Sequence, residues 1–226
     1  MILAAGSGTR FSSSETKQMA KICDLPVFIR TVMAFEACKR IDEIVLVAKA
    51  DELDTVKDMC SSQGFVKLKT FIAGGATRQE SSLIGVEAAS KKAKFVAIHD
   101  AARCLITPEM IDSVLDAAYQ YRCAAAACRC VDTMKLTDAD GFIVQTVDRD
   151  RTWRVFTPQI FEKNLYVAAA YMAKQDKASV TDDCSLIERI RGRVKLVDVG
   201  DENIKLTNPS DRALAEFILK KRGGML

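Results

Sequence analysis

Apolar positions along the 226-residue chain follow two alternating patterns. Short runs rich in Val, Ile and Phe occur at 43–48 (EIVLVA), 69–73 (KTFIA) and 95–99 (FVAIH), as buried strands require. Between them lie stretches with helical spacing. In 26–38, Phe28, Ile29, Val32 and Met33 share one face. Thr107 followed by Pro108 marks a helix start, and Met110, Ile111, Val114, Leu115 and Ala118 form its stripe. Asn208-Pro209 opens a last helix whose Leu214, Phe217 and Ile218 are predicted to face inward. The alternation predicts an α/β fold, a mostly parallel sheet with helices on both faces.

One region breaks this rhythm. From 131 to 150 (VDTMKLTDADGFIVQTVDRD) the chain reads as strand, turn, strand, with Asp138-Ala-Asp-Gly141 supplying the turn. A hairpin inserted in an α/β domain is expected to project from it, and projecting edges seek a partner. Neither internal repeats nor low-complexity segments occur, and 1–226 reads as a single domain.

Composition narrows the chemistry. The 33 Lys+Arg against 30 Asp+Glu leave a net charge of +3, too balanced for general attraction to nucleic acid or membranes. No run approaches the ~18 apolar residues of a membrane span, and no signal peptide is visible. The eight cysteines form no C-x-x-C pair and sit singly or in apolar segments, which reads as buried free thiols in a reducing cytoplasm. With His99 the single histidine, a histidine zinc site or a Ser-His-Asp hydrolase has little support.

Three loops carry candidate chemistry. The first, AAGSGTR at 4–10, lacks both the G-K-[ST] ending of a P-loop and the third glycine of G-x-G-x-x-G, where Phe11 stands. Its small residues Ala4, Ala5, Gly6 and Gly8 allow close backbone approach, and Arg10 and Lys17 add charge for a polyphosphate. An ordinary surface turn with solvated basic residues is the competing interpretation. The second, Gly74-Gly75-Ala-Thr-Arg78-Gln-Glu-Ser81, leaves a strand and enters a helix. Its glycines permit positive φ, and Ser81 either caps the helix or contacts a bound base. The third, His99-Asp100-Ala101-Ala102-Arg103, ends a strand where open α/β sheets bind ligands. There Asp100 is either a turn carboxylate or faces a metal or ribose. The clusters at Thr157, Thr181 and Lys205 read, one at a time, as caps or turns.

Taken together and in order, AAGSGTR…KQ, GGATRQESS, HDAAR, VDTMK, TVDRDRTWRVFTPQ, VTDD and NIKLT resemble the 2-C-methyl-D-erythritol 4-phosphate cytidylyltransferases of non-mevalonate isoprenoid biosynthesis. The resemblance runs from Ile2 to about Ala215. It implies a nucleotidyltransferase-type, Rossmann-like domain of the nucleotide-diphospho-sugar transferase kind, with the hairpin at 131–150 as an arm joining two subunits. It also implies transfer of CMP from CTP to methylerythritol 4-phosphate, with Mg²⁺ or another divalent cation, in the cytoplasm.

Residue by residue, the resemblance makes Arg10 and Lys17 the transition-state stabilisers on the CTP phosphates. Backbone around Ala4, Ala5 and Gly75, with the Ser81 hydroxyl, reads cytosine; Gly6 and Gly8 belong to the same loop. Asp100 and Ala101 face ribose, Mg²⁺ or substrate. Thr133 and Arg149 reach from the arm into the other subunit's site, and Thr157, Thr181 and Lys205 complete the substrate pocket. Lys205 and Arg149 position the attacking phosphate. His99 and Trp153 are taken as structural. Two departures stand out, Thr16 and Cys104 in place of prolines, and both are expected to soften a loop without removing a charge.

Competing activities are a ribitol 5-phosphate cytidylyltransferase, a non-catalytic nucleotide-binding protein of the same fold and, weakest, a Rossmann oxidoreductase. One further expectation concerns 1–3. The resemblance places the first loop after a central parallel strand, which Met1, Ile2 and Leu3 alone scarcely fill. Either the working protein begins upstream or the core is weakened there.

Overall fold

The computed structural model describes residues 1–6 and 18–223. In chain order it contains β1 (Ile2–Leu3), a small pair β2 (Lys21–Ile22) and β3 (Leu25–Pro26), α1 (Val27–Ala37), β4 (Ile44–Ala48), α2 (Leu53–Ser61), β5 (Leu68–Ala73), α3 (Arg78–Ala88), β6 (Phe95–Asp100) and α4 (Pro108–Tyr121). There follow β7 (Cys123–Arg129), the hairpin β8 (Lys135–Thr137) and β9 (Ile143–Thr146), β10 (Trp153–Glu162), α5 (Lys163–Gln175), α6 (Cys184–Arg189), β11 (Lys195–Asp198) and α7 (Ser210–Lys221).

Seven strands form one sheet in the order β11-β7-β10-β6-β1-β4-β5. β10 runs antiparallel to both neighbours, and the remaining pairings are parallel, so the sheet is mostly parallel as the alternation predicts. Period-two alternation splits its side chains between two cores. Ile44, Leu46, Ala124 and Ala126 join Phe28, Val32, Phe35, Ile111 and Val114 of α1 and α4 on one face. Val96, Ile98, Ala125 and Phe161 join Val86, Tyr166, Ala169 and Ile187 of α3, α5 and α6 on the other.

β1 lies centrally, bonded on both sides. Ala4 N donates to Val47 O at 2.7 Å, His99 N to Met1 O at 3.0 Å and Ala101 N to Leu3 O at 2.9 Å. The Met1 amino group is itself buried against Ala97 O at 2.8 Å.

Three expectations need correction. On α7, Leu214 and Phe217 are exposed, and Ala215, Ile218 and Leu219 face inward, against Ile22, Val27, Cys104 and Leu105. The helix is turned because its buried partner is a small satellite core off one end of the sheet. Secondly, the glycine pair at 74–75 is not in the positive-φ region. What it needs is space: a Cβ on Gly74 would stand 2.7 Å from Ser81 Oγ, and one on Gly75 2.6 Å from the Glu80 Cβ. Thirdly, Cys23 is exposed, whereas the other seven thiols are buried.

The hairpin appears where the turn chemistry puts it, with β8 and β9 antiparallel and Gly141 at φ 87°. Asp138 Oδ1 accepts from Asp140 N and Phe142 N and closes the turn. Both strands are exposed along their whole length.

Candidate active site

The carboxyl ends of the parallel strands β1, β5 and β6 deliver three loops to one place. Between them lies a cavity of about 340 Å³ lined by backbone and side chains that include Ala4, Ala5, Gly6, Gly75, Ser81 and Ala101, with Arg78, Asp100 and Lys205 as its charged groups. Gly8, Arg10 and Lys17 fall outside the described residues.

The loop after β5 is built by its helix start. Thr77 accepts from Glu80 N, and Glu80 returns bonds to the backbone of Thr77 and Ala76, a capping box. Thr77, not Ser81, is therefore the cap. Ser81 is turned inward, donating to Thr77 O at 2.8 Å and accepting from Gly75 N at 3.1 Å. The atom that a Cβ on Gly74 would collide with is this same hydroxyl.

Asp100 ends β6 and is held from behind. Its backbone N–H donates to Thr157 Oγ1 at 3.0 Å. That hydroxyl lies 3.1 Å from His99 Nδ1, and His99 Nε2 is 3.2 Å from Arg103 O. Burial lowers the His99 pKa to about 3. The ring is thus neutral, donates through Nε2 to the carbonyl, and accepts from Thr157 at Nδ1. His99 is structural, as expected, and it fixes Asp100 through Thr157. A bulge in β10 between Val155 and Gln159 brings Thr157 to this position.

In front, Asp100 Oδ2 accepts from Lys205 Nζ at 2.6 Å, and Oδ1 from Arg78 Nε and Nη2, both at 3.3 Å. Burial pushes the Asp100 carboxyl up, but the charges of Arg78 and Lys205 outweigh it and hold the group well below the usual carboxylate range. Arg78 also donates through Nη1 to Asp183 Oδ2 at 2.7 Å. Burial opposes its charge, and the two carboxylates reverse that and keep it firmly protonated. The loop after Asp100 is anchored without the proline that Cys104 replaces. Leu206 N donates to Ala102 O and Arg103 Nη1 to Asn203 O, each at 2.9 Å.

The structure brings Ala4, Ala5, Gly6, Gly75, Ser81, Asp100, Ala101 and Lys205 together at one cavity. Thr157 stands behind Asp100, buried, rather than lining it. Thr133, Arg149 and Thr181 are exposed and do not line it either; the first two belong to the arm region, and Arg149 Nη1 reaches Val131 O at 3.5 Å. Arg78, Gln18 and Asp183 are functional candidates that sequence reasoning did not assign. Each lies in a quoted motif, GGATRQESS, KQ or VTDD, but a motif does not show which of its polar residues turns inward.

A backbone-lined cavity at the carboxyl ends of parallel strands, with two cations at its rim, is the place where open α/β sheets bind ligands. Comparison with known proteins narrows this. The sequence profile of the family described as IspD, 2-C-methyl-D-erythritol 4-phosphate cytidylyltransferase, matches residues 1–221. Relatives bearing that name include those of Caldanaerobacter subterraneus, 39% identical over 98% of each chain, and Synechocystis sp., 38% identical over 98% of this chain and 96% of the relative. The crystal structure of 4-diphosphocytidyl-2C-methyl-D-erythritol synthase from Anaerococcus prevotii superposes with a TM-score of 0.87 at 28% identity, covering 97% of this chain and 96% of that one. The chain belongs to the 2-C-methyl-D-erythritol 4-phosphate cytidylyltransferase family.

Proposed function

We propose that this chain transfers CMP from CTP to 2-C-methyl-D-erythritol 4-phosphate, giving 4-diphosphocytidyl-2-C-methyl-D-erythritol and pyrophosphate, at the cavity around Asp100. The observation that carries the assignment to this site is the Arg78–Asp100–Lys205 cluster facing a cavity walled by the backbone of residues 3–6 and 75–77. A phosphate oxygen of the alcohol attacks the α-phosphorus of CTP, a new P–O bond forms, and the α–β bridge bond breaks as pyrophosphate departs. The nucleophile is already an anion, so no general base is needed. What the protein supplies is alignment and positive charge.

In this assignment the Gly75 backbone and Ser81 read the base, and Ala4, Ala5, Gly6 and Gly8 face the nucleotide. Arg10 and Lys17 meet the phosphates. Lys205, held by Asp100, positions the attacking phosphate. Asp100 is a poor direct magnesium ligand, because both its oxygens already accept from cations. Among the described residues no three acidic, histidine or cysteine groups converge on a metal. A divalent cation would be held mainly by the phosphate oxygens of CTP, where it would offset their charge. Thr133 and Arg149 act on a second copy's site through the arm, so the working form is a homodimer. Among the described residues no helix is long and apolar enough to cross a membrane, and a cytoplasmic location fits the free thiols.

The test is pyrophosphate release by purified protein with Mg²⁺ and CTP on addition of methylerythritol 4-phosphate. Release only with ribitol 5-phosphate would transfer the assignment to that alcohol. Release with neither would leave nucleotide binding alone.

A further inference from the structure

The VTDD motif contributes more to this site than Thr181. Asp183 is 1% exposed and carries a carboxylate, which is costly inside a protein unless it is paired and hydrogen-bonded. Three elements hold it. Its backbone N–H donates to Gln159 Oε1 of β10 at 3.0 Å. Its Oδ1 accepts from the Tyr166 hydroxyl of α5 at 2.8 Å. Its Oδ2 accepts from Arg78 Nη1 of α3 at 2.7 Å. The neighbouring Asp182 is occupied differently: it accepts from Gln159 Nε2 and from Ser185 at the start of α6.

The distances rank the contacts in this network. Arg78 is close to Asp183 at 2.7 Å and loose on Asp100 at 3.3 Å, whereas Lys205 is close to Asp100 at 2.6 Å. Two carboxylates and two cations are thus sorted into two principal pairs. A guanidinium is a planar fork that favours bidentate pairing with a carboxylate. Without the Asp183 charge, the Nε/Nη2 edge of Arg78, which now meets only Oδ1 of Asp100 at 3.3 Å, would close on both of its oxygens and compete with Lys205 for Oδ2.

We propose that Asp183, backed by Tyr166, is a positioning residue: it draws the Arg78 guanidinium aside and so leaves Asp100 to orient Lys205 toward the phosphorylated alcohol. This rests on the cytidylyl-transfer assignment above and names the residues that set the geometry of its acceptor half.

Steady-state kinetics with both substrates varied, on purified Asp183→Asn, Tyr166→Phe and Arg78→Ala proteins and the two double variants, test it. Asp183→Asn is expected to raise KM for methylerythritol 4-phosphate by about tenfold and to leave KM for CTP within about twofold. Tyr166→Phe, which keeps the carboxylate and removes one hydrogen bond, is expected to raise the same KM by about threefold. In an Arg78→Ala background neither change should add further loss, because the group being positioned is gone. A purely structural role would lower kcat with the active fraction, leave both KM values unchanged and multiply with Arg78→Ala; that result overturns the proposal. Should Asp183→Asn fail to fold, an unchanged KM in Tyr166→Phe would overturn it equally. Wild-type turnover in the same assay tests the reaction separately, and its absence would remove the reaction and this role together.

Discussion

The cavity and the hairpin arm solve opposite halves of one problem. Around Asp100 the charges of Lys205, Arg78 and Asp183 find complements within the chain: Lys205 and Arg78 on Asp100, Arg78 on Asp183, with the Tyr166 hydroxyl donating to Asp183. The arm has the reverse character. Its turn is closed by Asp138, and its strands are joined by a short ladder, yet Val131, Leu136, Phe142, Ile143 and Val144 are all exposed, Phe142 to 72%. A lone two-stranded hairpin is marginal in water and an exposed apolar patch of this kind marks an interface. Polar groups can be satisfied pairwise inside one chain, whereas an apolar hairpin face needs a second surface. The cavity is thus preorganised within its own chain, and the arm leaves an apolar face uncovered.

The largest effect is expected from stripping charge at the cavity. Lys205→Ala should lower kcat/KM by about 10²-fold or more, the scale of a lost transition-state or positioning cation, with only a small fall in melting temperature, since the Lys205 side chain is a third exposed. Matching losses of activity and melting temperature would show instead that Lys205 serves the fold. On the other side of the comparison, Phe142→Asp with Val144→Asp should convert a dimer to monomers by sedimentation and reduce turnover, leaving the monomer folded. The two regions should also complement each other. Inactive Arg149→Ala and Lys205→Ala proteins, once their subunits exchange, should recover about a quarter of wild-type activity, from one intact site in each mixed dimer. Subunit exchange with no recovery would confine each site to one chain.

The smallest effect concerns the support behind Asp100. The folded state holds His99 neutral with a pKa of about 3, below the ordinary 6.5. Between those values the unfolded chain binds a proton that the folded chain does not, so stability falls as pH is lowered through that window, by at most ~1.4 kcal/mol per unit. Asp100, with its pKa depressed by Arg78 and Lys205, adds a loss only below about pH 3.8. His99→Gln should therefore flatten the fall of melting temperature between pH 6.5 and 4. An unchanged slope would mean that another group governs it.

Much of this was legible in advance because it is local. The strands at β4, β5 and β6, the Thr107-Pro108 helix start and the Asp138–Gly141 turn each announce themselves within a few residues. β7 did not. Its CAAAACR is a poor strand by propensity, since alanine favours helix. It becomes one because β10 and β11 pair along both its edges and its side chains are buried on both faces. The face that α7 buries is hidden from the sequence for a similar reason. Leu214, Phe217 and Ile218 are all apolar, and only the position of the satellite core decides which of them it covers.

The chain by itself determined the alternation of elements, the hairpin, the three loops at strand ends and, through the order of its motifs, the family. Tertiary structure alone decided which charges meet. Asp100 and Lys205 lie 105 residues apart, as do Arg78 and Asp183. Periodicity records which side of an element is buried, a property of neighbours in sequence. The meeting of two distant ions depends on strand order, and β6, β10 and the loops around α6 and before α7 come together only when the sheet has closed.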